Sequence, residues 1–382
     1  MLRSVAVDPA ISEFHIQQGT LSFERATTSL GDPASTATIE PGATLALRDC
    51  KNVLAKPLAL YSDEFTCSLT NSSGSNVVTG ALSLNGSCGI AAGGGTLALT
   101  GPLAGSGGLV KDGAGAVCIY GPALYSGLTT IREGPLRFFN SSPIASSYLI
   151  IAPGGTLDVS AISNGVFTLP PNRTLEGSGV VLGNFVVGTQ CWLVADTAGG
   201  LSFSNNLTFS PDSSGCAMTI SKQPRTNSQI RVFGNLALAG LLVIDVELGT
   251  NGFVSGEQFQ LFSAGSYSGA FSQILPNTPA PGFVWDATQL NNSGVLRVVA
   301  TQLPQLGPPR LNGNTLQFSG NGGMVSAPGD TYYILSSTNV ALPIPQWNRV
   351  STGQLDANRN FLFTDPNPMP GVGSVYYRLQ LR

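Results

Sequence analysis

Residues Gly95–Gly121 read GTLALTGPLAGSGGLVKDGAGAVCIYG and combine eight glycines with short apolar alternations. Leu97 and Leu99, like Val117 and Ile119, are two residues apart, which is the periodicity of a strand with one buried face. Helical spacing is absent, and this many glycines would interrupt a helix. The stretch therefore predicts short strands joined by tight corners. We expect positive φ at the corner glycines Gly105, Gly107, Gly108, Gly113 and Gly115.

A glycine followed by an apolar alternation recurs along the first part of the chain. It reads GTLSF at Gly19, GATLAL at Gly42, GALSL at Gly80, GTLAL at Gly95, GAVCI at Gly115, GPLRF at Gly134 and GTLDV at Gly155. The steps between these glycines are 23, 38, 15, 20, 19 and 21 residues, as if one copy had drifted. One strand per copy of about twenty residues is typical of a β-solenoid, whose stacked coils bury one continuous core.

Residues Gly95–Phe138 resemble the autotransporter-associated β-strand repeat of secreted bacterial passenger proteins. The resemblance is carried by GTLALTG, GSGGLVKDGAG and YSGLTTIREGPLRF. It continues more loosely through TLEGSGVVLGNFVVG, LSFSNNLTF, NSQIRVFGNLALAG, LFSAGSYSGAFSQILP and FVWDATQLNNSGVLRVV. The resemblance implies a right-handed parallel β-helix on the cell surface, and it leaves the export route open.

Three prolines in TQLPQLGPPRLNG mark a change of composition near residue 303. We predict an all-β chain with a solenoid body over 1–302, which has its repeat core at about 19–188 and a closing β segment at about 201–300. A Pro-rich linker would occupy 303–311 and a small β-sandwich 312–382. The sandwich strands would be TLQFSG, TYYILSST, QWNRVS, NFLFTD and VYYRLQL. This segment resembles the C-terminal module of many large secreted bacterial proteins, through YYILSSTNVALPIPQWNRV and FTDPNPMPG followed by YYRLQ.

Charged side chains are scarce, and this limits the partners. Lys and Arg number 18 and Asp and Glu 21, for a net charge of −3, and no basic stripe suits a nucleic acid. The longest apolar run, Leu236–Ile244, is too short to span a bilayer. Low charge and polar strands suit an extracellular surface. Since MLRSVAVDPAISEF lacks the apolar core of a secretory signal, we expect an exported protein whose leader is absent from this sequence.

The six cysteines allow either disulfides or buried thiols. They are Cys50, Cys67, Cys88, Cys118, Cys191 and Cys216, and their spacing fits no zinc site. Strand alternation places Cys50 and Cys118 on the side of their strands that is opposite to the inward-facing leucine, valine and isoleucine side chains. They would then face outward, where a free thiol is a liability and a disulfide is favoured. The alternative is that all six cysteines are small apolar residues of the core.

Residues suited to catalysis are few, and we expect no enzyme, cofactor or metal site. The one histidine, His15, would have to act as the base of any nucleophilic triad. Carboxylate pairs for polysaccharide cleavage could come from Asp158, Glu176 and Asp196, or from Asp245 and Glu247. A solvated strand edge is the alternative explanation for the second pair.

Three aromatic residues, Trp347, Tyr332 and Tyr376, could stack on a glycan, although core packing is the commoner role of such residues. The sequence thus favours an extracellular stalk or fibre subunit, a homo-oligomer or filament that self-associates through strand edges. The alternative is a surface adhesin or carbohydrate-binding protein, and a polysaccharide lyase or hydrolase is favoured least.

Overall fold

The computed structural model describes residues 1–62, 66–139, 144–197, 199–222, 225–249, 252–323, 326–366, 368 and 373–381. Regular structure within these ranges is β-strand, apart from a 3-10 turn at Ile344–Gln346, and the predicted all-β class is confirmed. The described residues contain no helix that is long and apolar enough to cross a bilayer. The chain divides into two compact units, the first comprising Met1–Phe253, Glu257–Pro279 and Trp285–Val298, and the second Val254–Gly256, Ala280–Val284 and Val299–Arg382.

Most of the first unit is a parallel β-solenoid with three faces, as predicted. On each face a strand pairs in parallel with strands of the preceding and following coils, which produces three ladders. The first ladder contains Leu2–Arg3, Gly19–Glu24, Ala43–Arg48, Cys67–Ser73, the second half of Leu82–Ala92, Gly108–Asp112, the first parts of Thr129–Phe138 and Tyr148–Asp158, Thr174–Gly177, Trp192–Ala195, Gly215–Lys222, Leu241–Glu247 and Gln273–Leu275.

The other two ladders use shorter strands. The second contains Ser75–Val78, Thr96–Leu99, Ala116–Ile119, the second parts of Thr129–Phe138 and Tyr148–Asp158, Val180–Leu182, Leu201–Phe203 and the first parts of Ile230–Leu238 and Phe262–Gly269. The third contains Phe14–Ile16, Ala37–Ile39, Leu58–Ser62, the first half of Leu82–Ala92, Leu103–Ala104, Val166–Thr168, Asn184–Val187, Leu207–Phe209 and the second parts of Ile230–Leu238 and Phe262–Gly269.

Inward-facing side chains of successive coils stack on one another and form the core. In the second ladder Leu97, Val117, Leu136 and Leu157 pair in turn, 20, 19 and 21 residues apart, and all four are 0% exposed. The predicted period of about twenty is confirmed in this region. Each such side chain stabilises the fold by roughly 1.5–3 kcal/mol through the apolar surface it removes from water.

The recurring glycines belong to different faces, so the idea of one drifted copy is wrong. Gly19 and Gly42 start or precede first-ladder strands, whereas Gly80 precedes the third-ladder half of Leu82–Ala92. Gly95 precedes the second-ladder strand of the next coil, Thr96–Leu99. The step of 15 residues therefore joins two faces of the solenoid and does not measure a repeat.

The corner glycines serve two different physical needs. Gly105 and Gly113 have φ of 116° and 77°, as predicted. Gly107, Gly108 and Gly115 are not at positive φ, and the prediction for them is wrong. They are needed because neighbouring coils come too close: a Cβ on Gly107 would lie 2.4 Å from the carbonyl oxygen of the stacked glycine of the preceding coil.

A three-stranded sheet follows the last coil. It contains Gln258–Gln260, Val295–Ala300 and Phe283–Asp286, and the first two strands pair antiparallel. The backbone N–H groups of Leu261 and Phe262 both donate to the carbonyl oxygen of Gly294, which joins the sheet to the last coil. The sheet thus lies within residues 201–300, for which the sequence predicts a closing β segment.

The second unit contains two antiparallel sheets around an aromatic core. One sheet has Gln305–Leu306, Arg310–Asn312, Thr315–Asn321 and Asn360–Asp365, and the other has Thr331–Ser337, Asn348–Gln354 and Tyr376–Leu381. The core of the second unit comprises Phe318, Tyr332, Ile334, Leu355, Phe361 and Phe363. The five predicted strands are confirmed. Two short strands also occur within 303–311 and just beyond it, where a linker is predicted, and the predicted domain limits stay a prediction.

Candidate functional site

Of the first three carboxylates considered for polysaccharide cleavage, Asp158 lies on a different face from Glu176 and Asp196. Asp158 is on the second ladder, is 1% exposed, and accepts a 2.6 Å hydrogen bond from Nε of Arg137. Burial would raise the pKa of Asp158, but hydrogen bonds from Ser160 and Arg137 bring it below its ordinary value. Glu176 is on the first ladder and Asp196 follows the next strand of that ladder. The Asp158 carboxylate is thus held in an ion pair with Arg137.

Asp245 and Glu247 share one side of a strand, as their spacing predicts. They pair with Thr219 and Ser221 where two first-ladder strands extend beyond the rest of the ladder, and both carboxylates are exposed. An antiparallel strand, Arg225–Asn227, adds to this extension. This arrangement agrees with the alternative of a solvated strand edge.

His15 lies on the strand Phe14–Ile16, at the surface. Its Nδ1 atom is 3.9 Å from Oε1 of Glu40, which follows the next strand of the same ladder. The contact is that of an exposed pair, whose energetic contribution is small.

All six cysteines are free thiols in this structure. The exposure predicted for Cys118 is wrong: it is 2% exposed, because the next coil places Arg137 beside it on the outer side of the ladder. Cys50 is half-buried, and its Sγ donates to the carbonyl oxygen of Phe23 at 3.2 Å. Burial raises the pKa of every one of these thiols; disulfide pairing stays a prediction for Cys50, Cys67, Cys88, Cys118, Cys191 and Cys216.

Of the three aromatic residues predicted to stack on a glycan, Tyr332 is a core residue. It is 6% exposed and its ring centroid lies 4.7 Å from that of Phe361, so it has no ring face for a sugar. Trp347 is half-buried, and its Nε1 donates to the carbonyl oxygen of Leu342 at 2.9 Å. Tyr376 is 40% exposed and borders a cavity of about 300 Å³.

A larger candidate surface, which the sequence did not indicate, lies on the outside of the first ladder. Two columns of outward-facing positions run here over successive coils, and we name them together the outer strip. One column contains Ser87, Gly108, Leu128, Tyr148, Thr174, Trp192 and Gly215. The other contains Gly89, Val110, Thr130, Ile150, Glu176, Val194 and Ala217.

A groove of about 610 Å³ forms one end of the outer strip. Its floor is open because glycines of three successive coils, Gly86, Gly107 and Gly127, stack at the corner beside it. The lining consists of Gly86, Ser87, Ser106, Gly107, Gly108, Val110, Gly127, Leu128, Thr130 and Arg132. Glycine, hydroxyl and aliphatic groups thus make up nearly the whole groove.

Two aromatic residues stand farther along the outer strip, and both are half-buried. Tyr148 donates a hydrogen bond from Oη to Glu176, and burial together with this carboxylate raises the pKa of Tyr148 to about 12. The indole of Trp192 lies face-on against Gly215, since a Cβ on that glycine would be 2.5–2.7 Å from three ring carbons. In the described part of the chain, the Trp192 indole N–H has no hydrogen-bond partner.

Comparison with known proteins gives one informative similarity. No family model and no solved structure matches the chain. The chain is 27% identical over 186 residues to the adhesin BmaC autotransporter of Brucella suis biovar 1 (strain 1330). The match covers 47% of this chain and 5% of that protein, so the chain spans a small part of its relative. Together with the parallel solenoid, this similarity fits a passenger-type β-helix.

Proposed function

We propose that the chain is an adhesive, non-catalytic segment of a secreted or cell-surface bacterial protein. The observation that carries the proposal is the parallel β-solenoid, together with its similarity to an autotransporter adhesin over 186 residues. A solenoid suits adhesion because each coil extends the body by about 4.8 Å and repeats the same outer face. Such a face offers a long, regular contact surface to a partner.

The absence of a catalytic role is part of the same proposal. It is supported by the separation of Asp158 and Glu176 on different ladders, and by the ion pair that holds Asp158. A hydrolase needs two carboxylates on either side of one glycosidic bond. We expect no release of reducing ends from a panel of polysaccharides, measured over a day with the purified chain.

Attachment of protein-coated beads to cells tests the adhesive role. Beads coated with the full chain are incubated with cultured epithelial cells, and beads coated with albumin are the control. We expect several-fold more attachment with the chain. Equal attachment of both kinds of bead, or release of reducing sugars in the polysaccharide assay, would contradict the proposal.

Self-association through strand edges is a second proposal. One observation favours it: within the described residues, the last first-ladder strand, Gln273–Leu275, pairs on one side only, with Leu241–Glu247. A free parallel edge can accept a strand of a second copy. Negative-stain microscopy at high protein concentration is the test, and we expect filaments that shorten with Gln273→Lys; dispersed monomers would end this proposal.

A further inference from the structure

We propose that the outer strip binds an extended, uncharged oligosaccharide; this inference rests on the adhesive function proposed above. The ligand would lie along the solenoid axis, across successive strands of the first ladder. It would pack against the Tyr148 and Trp192 rings and continue toward the glycine-floored groove at Leu128.

The aromatic rings provide the contact that a sugar needs. The Trp192 ring has one face on Gly215, so this flat side chain is held against the sheet and is half-buried there. The Tyr148 ring is held by its hydrogen bond to Glu176. Rigid aromatic rings supply a large apolar area with little loss of side-chain entropy, and they pack well against the C–H face of a pyranose.

The spacing of the rings favours a linear chain over a single sugar. Tyr148 and Trp192 occupy one column with Thr174 between them, which places them two coils apart, or about 10 Å at the usual strand separation. This distance is roughly that of two sugar units in an extended glycan. The whole column from Ser87 to Gly215 extends over about 29 Å by the same spacing.

The charges of the outer strip favour a neutral ligand. Glu176 and Arg132 are the ionisable groups of its columns and groove besides Tyr148, and the Glu176 carboxylate already accepts a hydrogen bond from the Tyr148 hydroxyl. A polyanion would meet no basic cluster here. Hydroxyl groups of Thr130 and Thr174 and the Trp192 indole N–H are instead suited to sugar hydroxyls.

An array of neutral oligosaccharides, probed with the full chain, tests the inference. The probes are cello-, chito- and malto-oligosaccharides of two to six rings. We expect binding that strengthens with chain length, and a loss of roughly tenfold or more in affinity with Trp192→Ala or Tyr148→Ala. Tyr148→Phe keeps the ring but loses the hydrogen bond to Glu176, and we expect it to weaken binding less than Tyr148→Ala does. Phe233→Ala is the matched control, because Phe233 is a 67% exposed aromatic outside the strip.

A second variant distinguishes loss of the binding site from loss of folding. Thr174→Arg adds a long charged side chain between the two rings at a half-buried outward position, and we expect it to abolish binding while the circular dichroism melting curve stays unchanged. The inference is overturned if no neutral oligosaccharide binds. It is also overturned if the Trp192→Ala and Thr174→Arg chains are folded and bind like the wild type.

The bead assay separates this inference from the adhesive function. If beads coated with Thr174→Arg attach to cells like wild-type beads, the adhesive function stands and the outer strip is not its site. If wild-type beads do not attach but the array result depends on Trp192, the adhesive function is wrong and the sugar site stands. Attachment that survives periodate oxidation of the cell surface but is lost with Thr174→Arg indicates a protein ligand and overturns the inference.

Discussion

At the scale of single residues, the least expected feature of the core is a lysine. Lys111 stands in the inward column between Ile90 and Ile131 and is 0% exposed. Its Nζ donates to the carbonyl oxygens of Asp112, Gly113 and Glu133 at 3.0, 2.6 and 2.7 Å. Burial lowers its pKa to about 8, against the opposing effect of nearby carboxylates. Alternation places the side chain inward, and its length lets the amine reach the corner backbone.

The change Lys111→Met removes these hydrogen bonds, and we expect it to lower the free energy of unfolding at pH 7 by about 1–3 kcal/mol. The effect should grow with pH. The folded lysine loses its proton near pH 8, whereas the unfolded one keeps it to about 10.5, so this group adds stability as the pH rises between these values. Urea unfolding of both proteins at pH 7, 8.5 and 9.5 measures the difference, and a constant difference would contradict a lowered pKa.

Two tyrosines of the second unit, one buried and one exposed, allow the energetic effect of core packing to be tested. Tyr332→Ala should lower the free energy of unfolding of this unit by about 3–5 kcal/mol, because it removes a buried ring packed on Phe361. Tyr376→Ala should cost less than about 1 kcal/mol, since Tyr376 is 40% exposed. Hydrogen exchange of the amides of Thr331–Ser337 reports both values. Similar losses in the two variants would argue against the observed core.

At the scale of elements, the corners of the coils determine how closely successive strands can stack. Gly107 is buried, and the three atoms nearest to a Cβ added there would all be backbone atoms of the preceding coil. Gly94 lies at another corner, where nothing would come within 4 Å of an added Cβ. The same residue type is therefore essential at one corner and replaceable at another.

The pair Gly107→Ala and Gly94→Ala tests this difference. We expect Gly107→Ala to lower the free energy of unfolding by about 2 kcal/mol or more, because backbone atoms of two coils must separate. Gly94→Ala should leave it unchanged or raise it by up to about 1 kcal/mol, since alanine restricts the unfolded chain. Thermal melts of the two variants give the comparison, and equal destabilisation would mean that the corner packing is not as described.

Local spacing predicted the strands and the parallel stacking, because alternation and glycine corners are properties of short segments. It could not predict which coils bring the outer-strip residues together. Tyr148 and Trp192 are expected to face outward from alternation alone, but their steps to Thr174 are 26 and 18 residues and depart from the period of twenty. Burial of Tyr332 escaped prediction for a related reason: it depends on which face of its strand meets the second sheet.

At the scale of the whole molecule, the thiols report on the packing of the entire solenoid. Cys88, Cys118, Cys191 and Cys216 are buried, while Cys50 and Cys67 are half-buried. We expect Ellman's reagent at pH 8 to label Cys50 and Cys67 slowly and the other four only after unfolding. In urea without reductant, six thiols should react. A lower count would mean that some cysteines are paired, as the disulfide hypothesis predicts.

Parallel pairing restricted to adjacent coils has a consequence for how such a gene can change in length. Leu136 pairs with Val117 and occupies the equivalent place one coil later. A deletion of residues 117–135 would put Leu136 into the position of Val117 and return every later strand to its face. Duplication of the same segment would insert a coil without disturbing the others. Related proteins could therefore become longer or shorter by whole coils.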